Sequence, residues 1–229
     1  MSAQELAKLH NTMRGCQLCL DAGHDIVPGA VMRGNVTAEV MLIGQAPGIT
    51  EVQVKRPFNA GSGKRLFQWL QDAEWDEDDF RDNQYMTAVT KCYPGRHPNG
   101  KGDRVPSRPE QALCRPFLQQ EIRLVNPKLI LLVGKLSIRQ LYPAKMKLTE
   151  MIGTGVYFSP ESIAENPLLF DLAQGEVITG YRGEKAGRYV VPIPHPSGAS
   201  LWPNHPDNKA LIKNAMQLIR DIRAGMLKS

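Results

Sequence analysis

The longest apolar runs of this chain are short and sharply bounded. Past their first residues, Glu39-Val-Met-Leu-Ile-Gly44 and Lys128-Leu-Ile-Leu-Leu-Val-Gly134 show no polar alternation, the pattern of strands buried on both faces. Residues 84–91 do alternate, carrying Tyr85, Thr87 and Val89 on one side. Residues 188–194 run Tyr-Val-Val-Pro-Ile into prolines that suit a strand end. Between these stretches the spacing becomes helical. Helices are predicted over Ala3–Arg14, 63–73, Arg108–Val125 with Pro109 in its first turn, 135–141 before Pro143, and 208–224. Strands separated by helices predict one α/β domain over residues 1–229, a three-layer αβα arrangement with a central, mostly parallel four-stranded sheet. Ligands bind such sheets where strands end and turns begin. Residues 145–187, which hold Tyr157, Phe158 and Phe170, match no element and read as an insertion or surface excursion.

A hydrophobic content of 42% in 229 residues is enough for one substantial core. No apolar run approaches the ~18 residues of a membrane span, and the first residues lack the apolar stretch and cleavage site of a secretory leader. The expected setting is cytoplasmic and reducing, where structural disulfides are rare, with no membrane partner and a monomeric chain. The formal net charge of +5 and pI near 9.0 favour a polyanionic partner. The charge is concentrated between residues 91 and 115, where Lys91, Arg96, Lys101, Arg104, Arg108 and Arg115 face only Asp103 and Glu110.

The same loop is bracketed by thiols. The 4 cysteines are Cys16, Cys19, Cys92 and Cys114, in one CxxC pair followed by two distant singles. A structural zinc site usually brings two short CxxC pairs, whereas an iron–sulfur cluster draws its thiolates from scattered segments. Unconnected buried thiols are the third reading, because free cysteine is a common core residue.

Three predicted strand ends carry unusual chemistry. Gly44-Gln45-Ala46-Pro47-Gly48 is a turn whose backbone N–H groups can face a ligand, and the Phe58 ring that follows offers a flat face for a base. The second strand leads directly into Lys91-Cys92. The fourth ends in His195-Pro196-Ser197-Gly198, where an imidazole can donate to developing negative charge. Leu201 and Trp202 follow as apolar candidates for a wedge.

Together these segments resemble the uracil-DNA glycosylase superfamily, and specifically its iron–sulfur branches, families 4 and 5. The likeness rests on the early CxxC, the Gly-x-Ala-Pro-Gly turn with Arg56-Pro57-Phe58, Lys91-Cys92-Tyr93-Pro94, Cys114-Arg-Pro-Phe-Leu118, the Pro127-Lys128 strand and the His195-Pro-Ser loop. The resemblance implies a [4Fe–4S] cluster on Cys16, Cys19, Cys92 and Cys114. It also implies a substrate of DNA containing uracil or another deaminated base, hydrolysis of the N-glycosidic bond, and an abasic product for base excision repair. Phe58 then stacks on the flipped base and His195 lies near uracil O2, with N–H donors at Gln45 or Ala46 and Ser197 beside them. Arg96, Lys101 and Arg104 hold phosphates, and Leu201 or Trp202 fills the gap in the stack.

Two positions depart from family 4. Gln45 stands where a carboxylate is usual; it can hold a water but not take its proton. That leaves Glu51 as the nearest acid. Ala88 stands where an asparagine usually reads the base, as in family 5, and Asn59 becomes the substitute reader. These departures keep open a second function, a weak or inactive protein that binds lesions or abasic sites without turnover. An iron–sulfur scaffold with a redox or protein-interaction role is a third.

Overall fold

The computed structural model of the chain describes residues 2–100, 102–167, 171–198 and 200–226. Its sheet has six strands: β1 (Val40–Gly44), β2 (Tyr85–Ala88), β3 (Leu129–Val133), β4 (Gly155–Phe158), β5 (Glu176–Ile178) and β6 (Arg188–Ile193), in the order β2-β1-β3-β6-β4-β5. The strands β2, β1, β3 and β6 are parallel, and these are the four that the sequence pattern predicts. β4 runs antiparallel to both β6 and β5 and extends the sheet on that side.

The expectation of four strands is therefore corrected to six. The two additional strands come from 145–187, the stretch without an assignment. Both are short, and β5 leaves Glu176 and Val177 exposed, so neither shows a clean period. Phe170, noted in the same stretch, lies outside the described residues.

β1 and β3 are buried from end to end, which requires cover on both faces of the sheet. Helix Ala3–Arg14 packs against helix Arg108–Val125, while helix Gly61–Asp72 packs against the closing helix Pro206–Met226, which also touches β6. One continuous apolar core joins these helices to the sheet. Ser107 caps the 108–125 helix with a reciprocal bond from Glu110, and Pro109 occupies its first turn. No helix among the described residues is long and apolar enough to cross a membrane.

The strand order places β1 between β2 and β3, so the connections leaving β1 and β3 diverge on either side. A crevice opens at their carboxyl ends. Gly44, Ala88, Val133 and Ile193 end the four parallel strands at that edge.

Candidate base pocket and cysteine pocket

A partly open pocket occupies this crevice. Its walls include Gln45, Ala46 and Glu51 from the β1 turn, Phe58, Thr87 and Ala88 from the end of β2, and His195 after β6. After Ala88 the chain keeps bonding to the β1 turn: Val89 N–H donates to the Gly44 carbonyl (2.9 Å) and Thr90 N–H to the Gln45 carbonyl (3.2 Å). In a planar trans peptide N–H and C=O point oppositely, so the N–H groups of Gln45 and Ala46 face away from β2.

His195 is fixed in one useful form. The Ser197 N–H donates to its Nδ1 (3.2 Å), which must then be unprotonated, leaving the ring's proton on Nε2. Burial holds the imidazole below its ordinary pKa. Activity that depends on the neutral ring is therefore expected to stay level as pH falls through the usual histidine value near 6.5, and to decline only in more acid solution. Stability follows the same sign: the contribution of the buried neutral ring is full above the unfolded pKa and is lost as pH falls towards the folded one. A pH–rate profile with its acid limb at or above 6.5 contradicts this assignment.

The ring rests on Gly134, whose φ of +86° is a glycine conformation; a Cβ there would lie 2.8 Å from His195 Cδ2. Gly134→Ala is expected to displace the imidazole and slow the chemistry about tenfold or more. Single-turnover kinetics alongside a thermal melt check this.

Glu51 folds back into the pocket from the first turn of helix Ile49–Val54. It accepts from Gly48 N–H (2.6 Å) and Asn59 N–H (3.2 Å), stapling the β1 turn to the Phe58 loop. Burial raises its pKa, opposed by these backbone donors. Phe58 has φ +53°, a left-handed conformation that costs an ordinary residue about 1–2 kcal/mol, and its ring tip packs on Gly44.

All 4 cysteines line a second pocket, walled mostly by apolar side chains such as Met13, Ile26, Leu113 and Phe117. None is disulfide-bonded. Burial raises the Cys19 and Cys92 thiols and takes Cys114 to about 11, and the neighbouring sulfurs add to each shift. Among the described residues, no three histidine, cysteine or acidic side chains converge closely enough to hold one metal ion. The thiols are spread around a chamber instead. The hydroxyl of Thr90, on its wall, is buried without a hydrogen-bond partner and can donate to a sulfur-rich occupant.

A buried ion pair joins the two cavities. Lys91 Nζ lies 2.6 Å from Glu121 Oε2, the side chains 2% and 0% exposed. The same ammonium donates to Thr87 Oγ1 (2.8 Å) and the Ala88 carbonyl (2.5 Å). Glu121 also accepts from Tyr85 and Thr87. Its helix carries Cys114, so the floor of the first pocket and the wall of the second share one polar network.

The profile of the Uracil DNA glycosylase superfamily matches residues 31–220. The chain belongs to this superfamily. Curated relatives include the Type-4 uracil-DNA glycosylase of Pyrobaculum aerophilum, 31% identical over 151 residues covering 65% of this chain and 70% of the relative. Those of Sulfurisphaera tokodaii and Saccharolobus solfataricus are each 32% identical, over 60% and 62% of this chain and 58% and 61% of their own lengths. For the latter two the match spans less than two thirds of the relative.

Within this uracil-DNA glycosylase fold, six of the residues singled out from sequence share the first pocket: Gln45, Ala46, Glu51, Phe58, Ala88 and His195. Ser197 acts on it through the His195 ring. Asn59 is exposed and off the pocket wall, contributing its backbone to Glu51 rather than a side chain to a base. Arg96 is exposed and pairs antiparallel with Asp103. Arg104 instead binds Glu110 through both terminal nitrogens (2.7 and 2.5 Å) and the Asp25 carbonyl (2.9 Å); it holds Glu110 down to about 2 and fastens the loop. Lys101 lies outside the described residues. Leu201 is 78% exposed, whereas Trp202 turns back against the core. Sequence reasoning missed Thr87 and Ser62 on the pocket wall. Thr87 belonged to a strand read only for its alternation, and Ser62 lies in the first turn of a helix that begins at Gly61, two residues before its predicted start.

Proposed function

We propose that this chain is a monofunctional DNA glycosylase that excises uracil from DNA by hydrolysis of the N-glycosidic bond, leaving an abasic site for base excision repair. The observation that carries this reading is one cavity at the parallel strand ends that combines an aromatic ring, a neutral imidazole and a carboxylate. The relatives named above bear the same activity in their names.

Drawing a nucleotide out of a duplex costs a few kcal/mol. Phe58 offsets part of that by stacking on the extruded base, and Leu201, projecting beside the His195 loop, fills the vacated position. Breaking the bond sends negative charge to uracil O2 and positive charge to the sugar. His195 Nε2–H and the N–H groups of Gln45 and Ala46 receive the first. Glu51 is the carboxylate on the pocket wall; it faces the second and holds the attacking water, which Gln45 can orient but not deprotonate. Ala88 contributes no polar atom from its side chain, so base selection falls to Gln45, Ser62 and the main chain.

In the cysteine pocket, Cys16, Cys19, Cys92 and Cys114 hold a [4Fe–4S] cluster. Scattered thiols around an apolar chamber with a free hydroxyl on its wall suit a polynuclear group better than a single zinc ion. Such a cluster, when bound, supplies rigidity to the segment carrying Arg96, which then reaches a DNA phosphate.

The test is to incubate the iron-loaded protein with single- and double-stranded oligonucleotides carrying uracil, hypoxanthine or xanthine and to count alkali-labile sites. Uracil strands should be cut, in protein holding 4 iron and 4 sulfide per chain as a [4Fe–4S] cluster requires. Tight binding without strand scission selects the lesion-binding alternative that Gln45 and Ala88 favour.

A further inference from the structure

Arg81 belongs to the short helix Glu77–Asn83, outside the pocket, and its side chain is buried to 3% exposure. A buried guanidinium is costly unless every donor has a partner. Here Nε bonds Glu77 Oε1 (2.8 Å), one terminal nitrogen bonds the Pro57 carbonyl (2.8 Å) and the other the Phe58 carbonyl (2.8 Å). The guanidinium plane also lies 4.4 Å from the centre of the Phe67 ring. Two successive carbonyls are thus gripped by one rigid fork. They are the carbonyls that flank the left-handed φ of Phe58. On the other side Gly63 abuts the Phe58 carbonyl so closely that a Cβ would fall 1.8 Å from it. An ordinary residue leaves the left-handed region unless its surroundings hold it there, and Arg81 provides the hold.

We propose that Arg81 is the positioning residue for base recognition, clamping the Pro57 and Phe58 carbonyls so that the Phe58 ring stands across the pocket before DNA arrives. This rests on the reading of the cavity as a base pocket. Its consequence is specific: losing Arg81 should weaken capture of the extruded base while leaving contacts to the DNA backbone intact.

The experiment compares wild type, R81M, F58A and the double variant in single-turnover uracil release across enzyme concentrations, with affinity for abasic-site DNA measured in parallel. Stacking one base on an aromatic ring corresponds to roughly 5- to 150-fold in equilibrium. R81M should therefore raise the half-saturating concentration for uracil DNA about tenfold or more, with abasic-site affinity unchanged and R81K rescuing only in part, because an ammonium lacks the rigid planar fork that holds both carbonyls and Glu77 at once. The double variant should be no worse than F58A. If R81M does not fold, E77Q, which loosens the fork while keeping Arg81, should give the same pattern at smaller amplitude. An unchanged half-saturation in the folded variant, or losses from R81M and F58A that multiply, overturns the clamp. Wild-type protein that releases no base overturns the pocket reading instead.

Discussion

Replacement of His195 by alanine is expected to slow uracil release under single-turnover conditions by about 10²–10³-fold, the usual effect of removing one donor from developing negative charge. The prediction follows from the tautomer. With Nδ1 occupied by the Ser197 N–H, the ring presents a proton only at Nε2, and His195 lines the cavity in which the proposed function seats the leaving base. Asparagine or glutamine at the position should recover part of the rate, because an amide can donate, whereas leucine should not. DNA affinity should change little, since the donor matters most when charge has built up on O2. A loss of less than about threefold in well-folded H195A would shift the burden to Glu51, and E51A would then be the damaging variant.

The second large effect concerns stability. Lys91→Met leaves Glu121 charged and unpaired in the core, and breaking a buried pair in this way costs about 3–5 kcal/mol. For a domain of this size that corresponds to a fall in Tm of roughly 6–20 °C. The double variant K91M/E121L removes both charges and should regain most of the loss, since an apolar replacement of a whole buried pair is often neutral or better. Thermal unfolding of the iron-loaded proteins separates the outcomes. Equal stability of K91M and wild type would mean that the pair is hydrated and that the two cavities are not coupled through it. The network also ties the Ala88 carbonyl to the helix bearing Cys114, so K91M should release iron more readily than wild type.

Much of this was legible in the chain because the parallel strands are buried on both faces. Burial of that kind writes unbroken apolar runs such as Leu129 to Val133, and each run ends at a turn whose residues make the site. Gln45, Phe58 and His195 were therefore locatable from their place after a strand. β4 and β5 were not, because the first is only Gly155 to Phe158 and the second is largely exposed. Single side-chain directions were also beyond reach. Asn59 and Glu51 flank the same loop, yet only the acid turns inwards, because its carboxylate meets two backbone N–H groups there. Arg104 reads as a phosphate ligand from charge alone; its pairing with Glu110 depends on the helix start at Ser107 bringing that carboxylate within reach. Arg81 reads from sequence only as one half of an i,i+4 pair with Glu77, since its other partners are main-chain carbonyls 23 and 24 residues away.

If the pocket at the strand ends receives a nucleobase and lets its sugar bond break there, free uracil is the direct product. Direct chromatographic detection of free uracil, from a single-turnover reaction of the iron-loaded chain with uracil-containing oligonucleotide, tests it most closely. Free base is expected in amounts equal to the abasic sites formed, rapidly from wild type and about 10²–10³-fold more slowly from H195A. Correctly folded, iron-replete protein that yields no free uracil from either single- or double-stranded DNA would contradict it.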